Sequence, residues 1–194
     1  MGTRSITIVR SRRLVKPGRR ENVETNRPAE NKYIYEYYAC VYKHFDGYVE
    51  DGVGEWLTKI LVEILQTLNS NMSGMSAGVL GARLIHAFME EGGDMINLLP
   101  VVSLKVMLKY YDYACAYFVT VDESSHDTVC MLSVYEHDDW ILTARPEKFL
   151  KKYVMNEEGR KFTDINYDDD DEVEKGFIAE DQLFMKSLGR LLSF

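Results

Sequence analysis

Tyr42 to Leu57, YKHFDGYVEDGVGEWL, holds four carboxylates, three glycines and four large aromatic side chains within sixteen positions. Carboxylates this dense bind divalent cations when spacing converges their oxygens, and an EF-hand loop needs oxygen donors at positions 1, 3 and 5 with Gly at 6. Counting from Asp46, position 3 is Tyr48 and position 6 is Asp51, so the calcium pattern fails. Glycines ahead of a helix cradle phosphate through backbone N–H groups and the helix dipole. Gly52 and Gly54 have that position, but no P-loop Lys-Ser/Thr follows, and Glu50, Asp51 and Glu55 repel an anion. A turn into a helix accounts for the same residues. Asp46-Gly47 makes the turn, Gly52 and Gly54 let the chain bend, and Asp51 or Glu55 favours the positive helix end. Asp46, Gly47, Tyr48, Gly52 and Gly54 are the candidate ligand-binding patch, with Tyr42, Phe45 and Trp56 as packing or stacking aromatics.

Other chemistry is sparser. His44, Asp46, Asp51, His137, Asp138 and Asp139 are donor types for a divalent ion, and converged they would make a metal-dependent phosphoester hydrolase; nothing in their spacing forces them together. No G-x-S-x-G motif is present. Cys40, Cys115 and Cys130 lie in apolar runs, where a thiol behaves as a small hydrophobe, and His86 sits beside Leu84 and Ile85 as a packed histidine would. No catalytic residue, metal set or cofactor is assigned.

Charge gives a second candidate. The first twenty residues hold Arg4, Arg10, Arg12, Arg13, Lys16, Arg19 and Arg20 and no acid. The net charge is −8, so the remainder carries −15. Arg10, Arg12, Arg13, Lys16, Arg19 and Arg20 form a basic arm that can meet nucleic-acid phosphate without reading sequence, or serve as a nuclear import signal in a eukaryotic host. The same arm can instead fold against the acidic stretch 164–175, DINYDDDDEVEK.

The elements that position these groups follow from periodicity. Residues 3–9 alternate as a strand; 10–32, with Pro17, Gly18 and Pro28, read as a mobile basic loop; 33–44, YIYEYYACVYKH, read as a second strand pairing with the first. From Gly54 the period changes: Trp56, Leu57, Ile60, Leu61, Ile64, Leu65 and Leu68 define an amphipathic helix. A second helix spans about 75–91, closed by Gly92 and Gly93, and a short third follows Pro100. Residues 111–121 and 128–135 form another hairpin, WILTA a fifth short strand, and Pro146 opens a helix. An acidic loop and a helix over 179–192 complete the chain. The expected fold is α+β: one domain over 1–194, with an antiparallel sheet of four to five strands covered by three to five helices. With 46% apolar and 12% aromatic residues among 194, a core is affordable. No apolar run is long enough for a membrane span and no signal core opens the chain. Three dispersed cysteines read as reduced thiols of a cytoplasmic protein.

MGTRSITIV at the start and YKHFDGYVEDGVGEWLTKIL at 42–61 resemble a family of small uncharacterised proteins of tailed phages, other viruses and some microbial and fungal genomes. These open Met-Gly-Thr-Arg and carry Tyr-x-x-Phe/Tyr-Asp-Gly-Tyr, then Gly-x-Gly and a helix. About thirty residues match; Val49 stands where the family has Pro, and 10–32 is an insertion. The resemblance implies a shared fold and a viral or mobile-element origin, and transfers no catalytic residue. Together these readings point to a non-enzymatic accessory protein that binds a partner protein or small ligand, with nucleic-acid binding and metal-dependent hydrolysis as alternatives.

Overall fold

The computed structural model describes residues 3–15, 32–70, 75–92, 95–110, 112–124, 129–136, 139–157 and 176–178. The chain runs β1 (Ser5–Val15), β2 (Lys32–Lys43), α1 (Val53–Ser70), α2 (Ala77–Gly92), β3 (Ile96–Leu98), α3 (Leu104–Tyr110), β4 (Cys115–Asp122), β5 (Val129–Glu136), β6 (Asp139–Ala144) and α4 (Pro146–Glu157). One further helical turn lies at 176–178. The class is α+β, as expected.

The sheet corrects the expectation in two ways. It has six strands, in the order β3-β2-β1-β4-β5-β6, and it is mixed rather than antiparallel. β1 pairs antiparallel with β2 but parallel with β4, Ser5 facing Cys115 and Arg12 facing Asp122. Three helices separate β2 from β4 in sequence, and such a crossover lets a returning strand lie parallel. The two antiparallel units, β3-β2-β1 and β4-β5-β6, meet along that seam.

β1 and β4 are central, so both of their faces are covered. Every β4 residue and Ser5–Arg12 of β1 are buried. On one face Val9, Ala39, Val41, Tyr117, Val119, Leu132 and Val134 pack under α1, α2 and α4 through Leu57, Leu61, Leu80, Leu84 and Phe149. On the other, Ile6, Ile8, Cys40, Ala116 and Phe118 pack against Leu104, Met107 and Leu108 of α3. Phe177 closes a smaller cluster with Val129 and Met131. Among the described residues no helix is long and apolar enough to cross a membrane.

The expected loop at 10–32 is also corrected. β1 continues through Val15, so Arg10 to Val15 are strand, and β2 begins at Lys32. The rest of that loop, the acidic stretch 164–175 and the helix over 179–192 lie outside the described residues.

Candidate functional site

Between Lys43 and Val53 the chain reverses from β2 into α1. Asp46 (φ 56°) and Asp51 (φ 51°) adopt the left-handed conformation, which Asp tolerates better than most residues. Gly47 is buried against the start of β1: its N–H donates to Thr3 O (2.8 Å) and its carbonyl accepts the Tyr117 hydroxyl (2.8 Å). A Cβ at Gly47 would lie 2.8 Å from the Arg4 carbonyl carbon and 2.9 Å from Ser5 Cβ, so only hydrogen fits. A Cβ at Gly52 would lie 2.5 Å from Asp46 O, and one at Gly54 2.6 Å from Val49 Cα. The Thr3-Arg4 opening and the Asp-Gly-Tyr stretch, distant in sequence, are thus two sides of one contact. The Arg4 side chain is itself anchored on Asp112.

This turn caps α1 with its own backbone. A helix begins with amides that have no partner inside it. Here Val53 N donates to Asp46 O (2.8 Å), Gly54 N to Tyr48 O (3.0 Å), Glu55 N to Val49 O (2.8 Å) and Trp56 N to Gly52 O (3.1 Å). Glu55 Oε2 reaches back to accept Asp51 N–H (3.2 Å). Glu55 has its pKa lowered by the hydrogen bond from Lys59 first and that from Asp51 second. An anion at this helix start would find its donors taken, and Gly52 and Gly54 serve close backbone packing rather than a phosphate.

What remains outward is side chain. Tyr48 is 56% exposed and Phe45 37%, and Asp46, Glu50 and Asp51 are exposed beside them. The His44 ring meets Phe45 edge-on at 4.6 Å, steadying it. Asp46, Asp51, Glu55 and Glu91 with Lys43, Lys59 and Trp56 line an open hollow of about 350 Å³ in which carboxylates outnumber amines. A second cavity, of about 320 Å³, lies elsewhere, between α1 and the start of α4 at Leu65, Cys130 and Arg145. All five candidate ligand-binding residues therefore share one turn, but Gly47, Gly52 and Gly54 build it, and Asp46 and Tyr48 carry the side chains that face solvent.

Among the described residues no three His, Cys, Asp or Glu side chains are placed to hold a metal, so His44, Asp46 and Asp51 do not form a set. Asp139 opens β6, while His137 and Asp138 lie outside the described residues. Cys40, Cys115 and Cys130 are buried, and burial pushes each thiol up to about 12, with Glu136 adding at Cys115 and Glu147 at Cys130. A nucleophile needs the thiolate, which these thiols withhold at neutral pH. His86 is not packed as expected; it is exposed on α2, 3.5 Å from Glu90.

The basic arm is divided. Arg10 and Arg12 are 1% and 2% exposed, on the β1 face opposite α1 and α2. Arg10 Nε donates to Thr120 Oγ1 (2.8 Å), and its guanidinium lies between Tyr35 (4.5 Å) and Phe118 (4.7 Å). Arg12 bonds Asp122 through Nε (2.9 Å) and a terminal nitrogen (2.7 Å), between Tyr33 (4.5 Å) and Phe177 (3.1 Å). Planar guanidinium suits such stacking. Burial raises the Tyr37 phenol's pKa, against the lowering effect of the Arg10 charge. Neither Arg10 nor Arg12 is open to phosphate, which corrects the arm reading for these two. Arg13 is exposed and pairs with Glu36; Lys16, Arg19 and Arg20 lie outside the described residues. The missed signal was the alternation of Tyr33, Tyr35 and Tyr37 across the hairpin from Arg10 and Arg12.

Compared with known proteins, the chain matches no family model, no curated protein and no solved structure.

Proposed function

We propose that this protein is a non-enzymatic accessory protein, of viral or mobile-element type, that recognises a partner protein through the turn at 44–51. One observation carries the reading: the turn's backbone is tied into the fold by Thr3, Tyr117 and the start of α1, yet it holds Phe45 and Tyr48 out to solvent. A pre-ordered turn loses little entropy on binding. Aromatic anchors dominate protein interfaces, where a few truncations cost 2 kcal/mol or more, as an order of magnitude. Asp46, Glu50 and Asp51 around these rings call for a partner with an apolar socket and a basic rim. The filled helix start, whose amides are already bonded to the turn's own carbonyls, supports recognition through the outward side chains there.

The test is a photo-crosslinking residue at Tyr48, with Lys151 on α4 as control, in the cells that naturally carry the protein. The reading expects adducts at 48 that are absent at 151 and disappear when Phe45→Ala is added to a chain of unchanged circular dichroism. Identical adducts from both positions, or none at 48, would overturn it.

A further inference from the structure

β6 runs beside β5 only as far as Ala144, opposite Leu132. The chain then turns at Arg145 into α4, and Lys148 N donates to Arg145 O (3.0 Å) to set the first helical turn. Cys130 lies two residues beyond Leu132 on β5, and among the described residues its ladder partner is Val121 of β4, on the other side. Its side chain belongs to the sheet face that α1 and α4 cover. Val62, Leu65 and Gln66 share one side of α1, at i, i+3 and i+4. The space left between that side of α1, Cys130 and the start of α4 is the cavity of about 320 Å³, with Met75 on its wall.

Its lining changes from floor to rim. Cys130 is buried at the floor; burial, with the Glu147 charge adding, pushes its thiol up to about 12, so the floor is neutral at physiological pH. Val62, Leu65 and Met75 are half-buried apolar walls. Arg145 is half-buried, and Glu147 and Gln66 are exposed at the rim. The volume falls at the lower end of the range that takes small molecules, roughly 300–1,000 Å³.

The charges decide the class of ligand. One guanidinium and one carboxylate, two residues apart in the chain, leave the rim neutral in sum. A ligand that is only an anion meets Glu147, and one that is only a cation meets Arg145. A zwitterion satisfies both. Guanidinium presents five N–H donors in a planar fork, so it holds a ligand carboxylate alongside its partners in the protein. We infer that this cavity binds a free amino acid with an apolar side chain of about the size of leucine or methionine. Its α-carboxylate sits on Arg145 and its α-ammonium on Glu147, and its side chain lies between Val62, Leu65 and Met75 above the Cys130 thiol. An internal residue of a peptide carries neither terminal charge, so the ligand is the free amino acid rather than a segment of another chain.

Amide NMR titration of the full chain with leucine and with methionine tests this. 4-Methylpentanoate, which lacks the ammonium, and 3-methylbutylamine, which lacks the carboxylate, serve as single-charge controls. The expected result is saturable shifts at Val62, Leu65, Cys130 and Glu147, with each control binding at least about tenfold more weakly than leucine, the equivalent of about 1.4 kcal/mol. Glu147→Gln, at an exposed site, is expected to weaken leucine about tenfold and leave 4-methylpentanoate no weaker. Arg145→Gln is expected to weaken leucine to a similar degree and leave 3-methylbutylamine no weaker. Absence of saturable shifts with both amino acids overturns the inference. So does a leucine affinity that the controls equal, or one that Glu147→Gln leaves intact.

Discussion

Tyr117→Phe isolates the tether that holds the turn to the sheet. Tyr117 is fully buried on β4, and its hydroxyl donates to the Gly47 carbonyl at 2.8 Å. Phenylalanine keeps the ring and its packing against the core, so no cavity of consequence opens. It removes the donor and leaves a carbonyl inside the protein. An unmet buried polar group costs about 1–3 kcal/mol, partly offset because the hydroxyl no longer has to be desolvated. The expected loss is about 1–2 kcal/mol, read as a lower urea midpoint at unchanged slope. The loss should also be local. Amide exchange at Val53, Gly54 and Glu55, whose bonds run to the turn's carbonyls, should accelerate more than exchange at Val119 or Leu132. Gly47→Ala serves as the comparison: its Cβ would meet Arg4 backbone at 2.8 Å, so the strand start must shift and the loss reach about 3 kcal/mol. A Tyr117→Phe protein within about 0.5 kcal/mol of wild type, with turn amides exchanging at wild-type rates, would refute the account of the turn as a tied platform.

Asp122→Ala leaves the buried Arg12 guanidinium without its carboxylate, and urea unfolding should show a loss of about 3–5 kcal/mol; a loss below about 1 kcal/mol would mean the pair is incidental. The three thiols should resist a disulfide reagent at pH 8 in the native protein and react at once in urea. Their folded pKa values lie above the unfolded ones, so their contribution is fully present below about 9 and is lost as pH rises towards about 12; stability measured from pH 8.5 upward should fall, with a slope of up to about 1.4 kcal/mol per pH unit for each thiol. Gly52→Ala should distort the helix start, its Cβ meeting the Asp46 and Tyr48 carbonyl oxygens at 2.5 and 2.6 Å, and should weaken crosslinking at Tyr48 without dissolving the sheet; undiminished crosslinking would show that the turn tolerates the change.

What could be read from the sequence was what short-range pattern encodes. The spacing of Trp56, Leu57, Leu61 and Leu68 defined α1 because one helix face must be apolar, and Asp46-Gly47 marked the turn because few other pairs accept its geometry. β1 beyond Val9 reads as loop from the sequence because arginine normally marks surface. Here Tyr33 and Tyr35 supply a flat bed and Asp122 a counter-charge, and both arrive from other strands. β3 spans three residues next to Pro100, too short for alternation to register. The parallel seam escaped because the order of elements carries no strand direction once three helices intervene. At the site, the glycines were legible as a group. Their role was not, because Thr3, Arg4 and Tyr117, which fill the space around Gly47, are remote in the chain.

The parallel seam also sets an order of events during synthesis. Arg10 and its partner Thr120 are separated by 110 residues, which a ribosome takes roughly 5–20 s to add. For that interval β1 has no β4 and stands as an open edge beside β2. Two arginines on its face, Arg10 and Arg12, discourage a stray strand from adding there, since inward-pointing charge is one of the ways proteins guard an edge. Only β4, which carries Thr120 and Asp122 in the matching register, gives both cations a place to sit. The register that sets Arg10 on Thr120 and Arg12 on Asp122 thus favours β4 over any strand that lacks those partners at those positions.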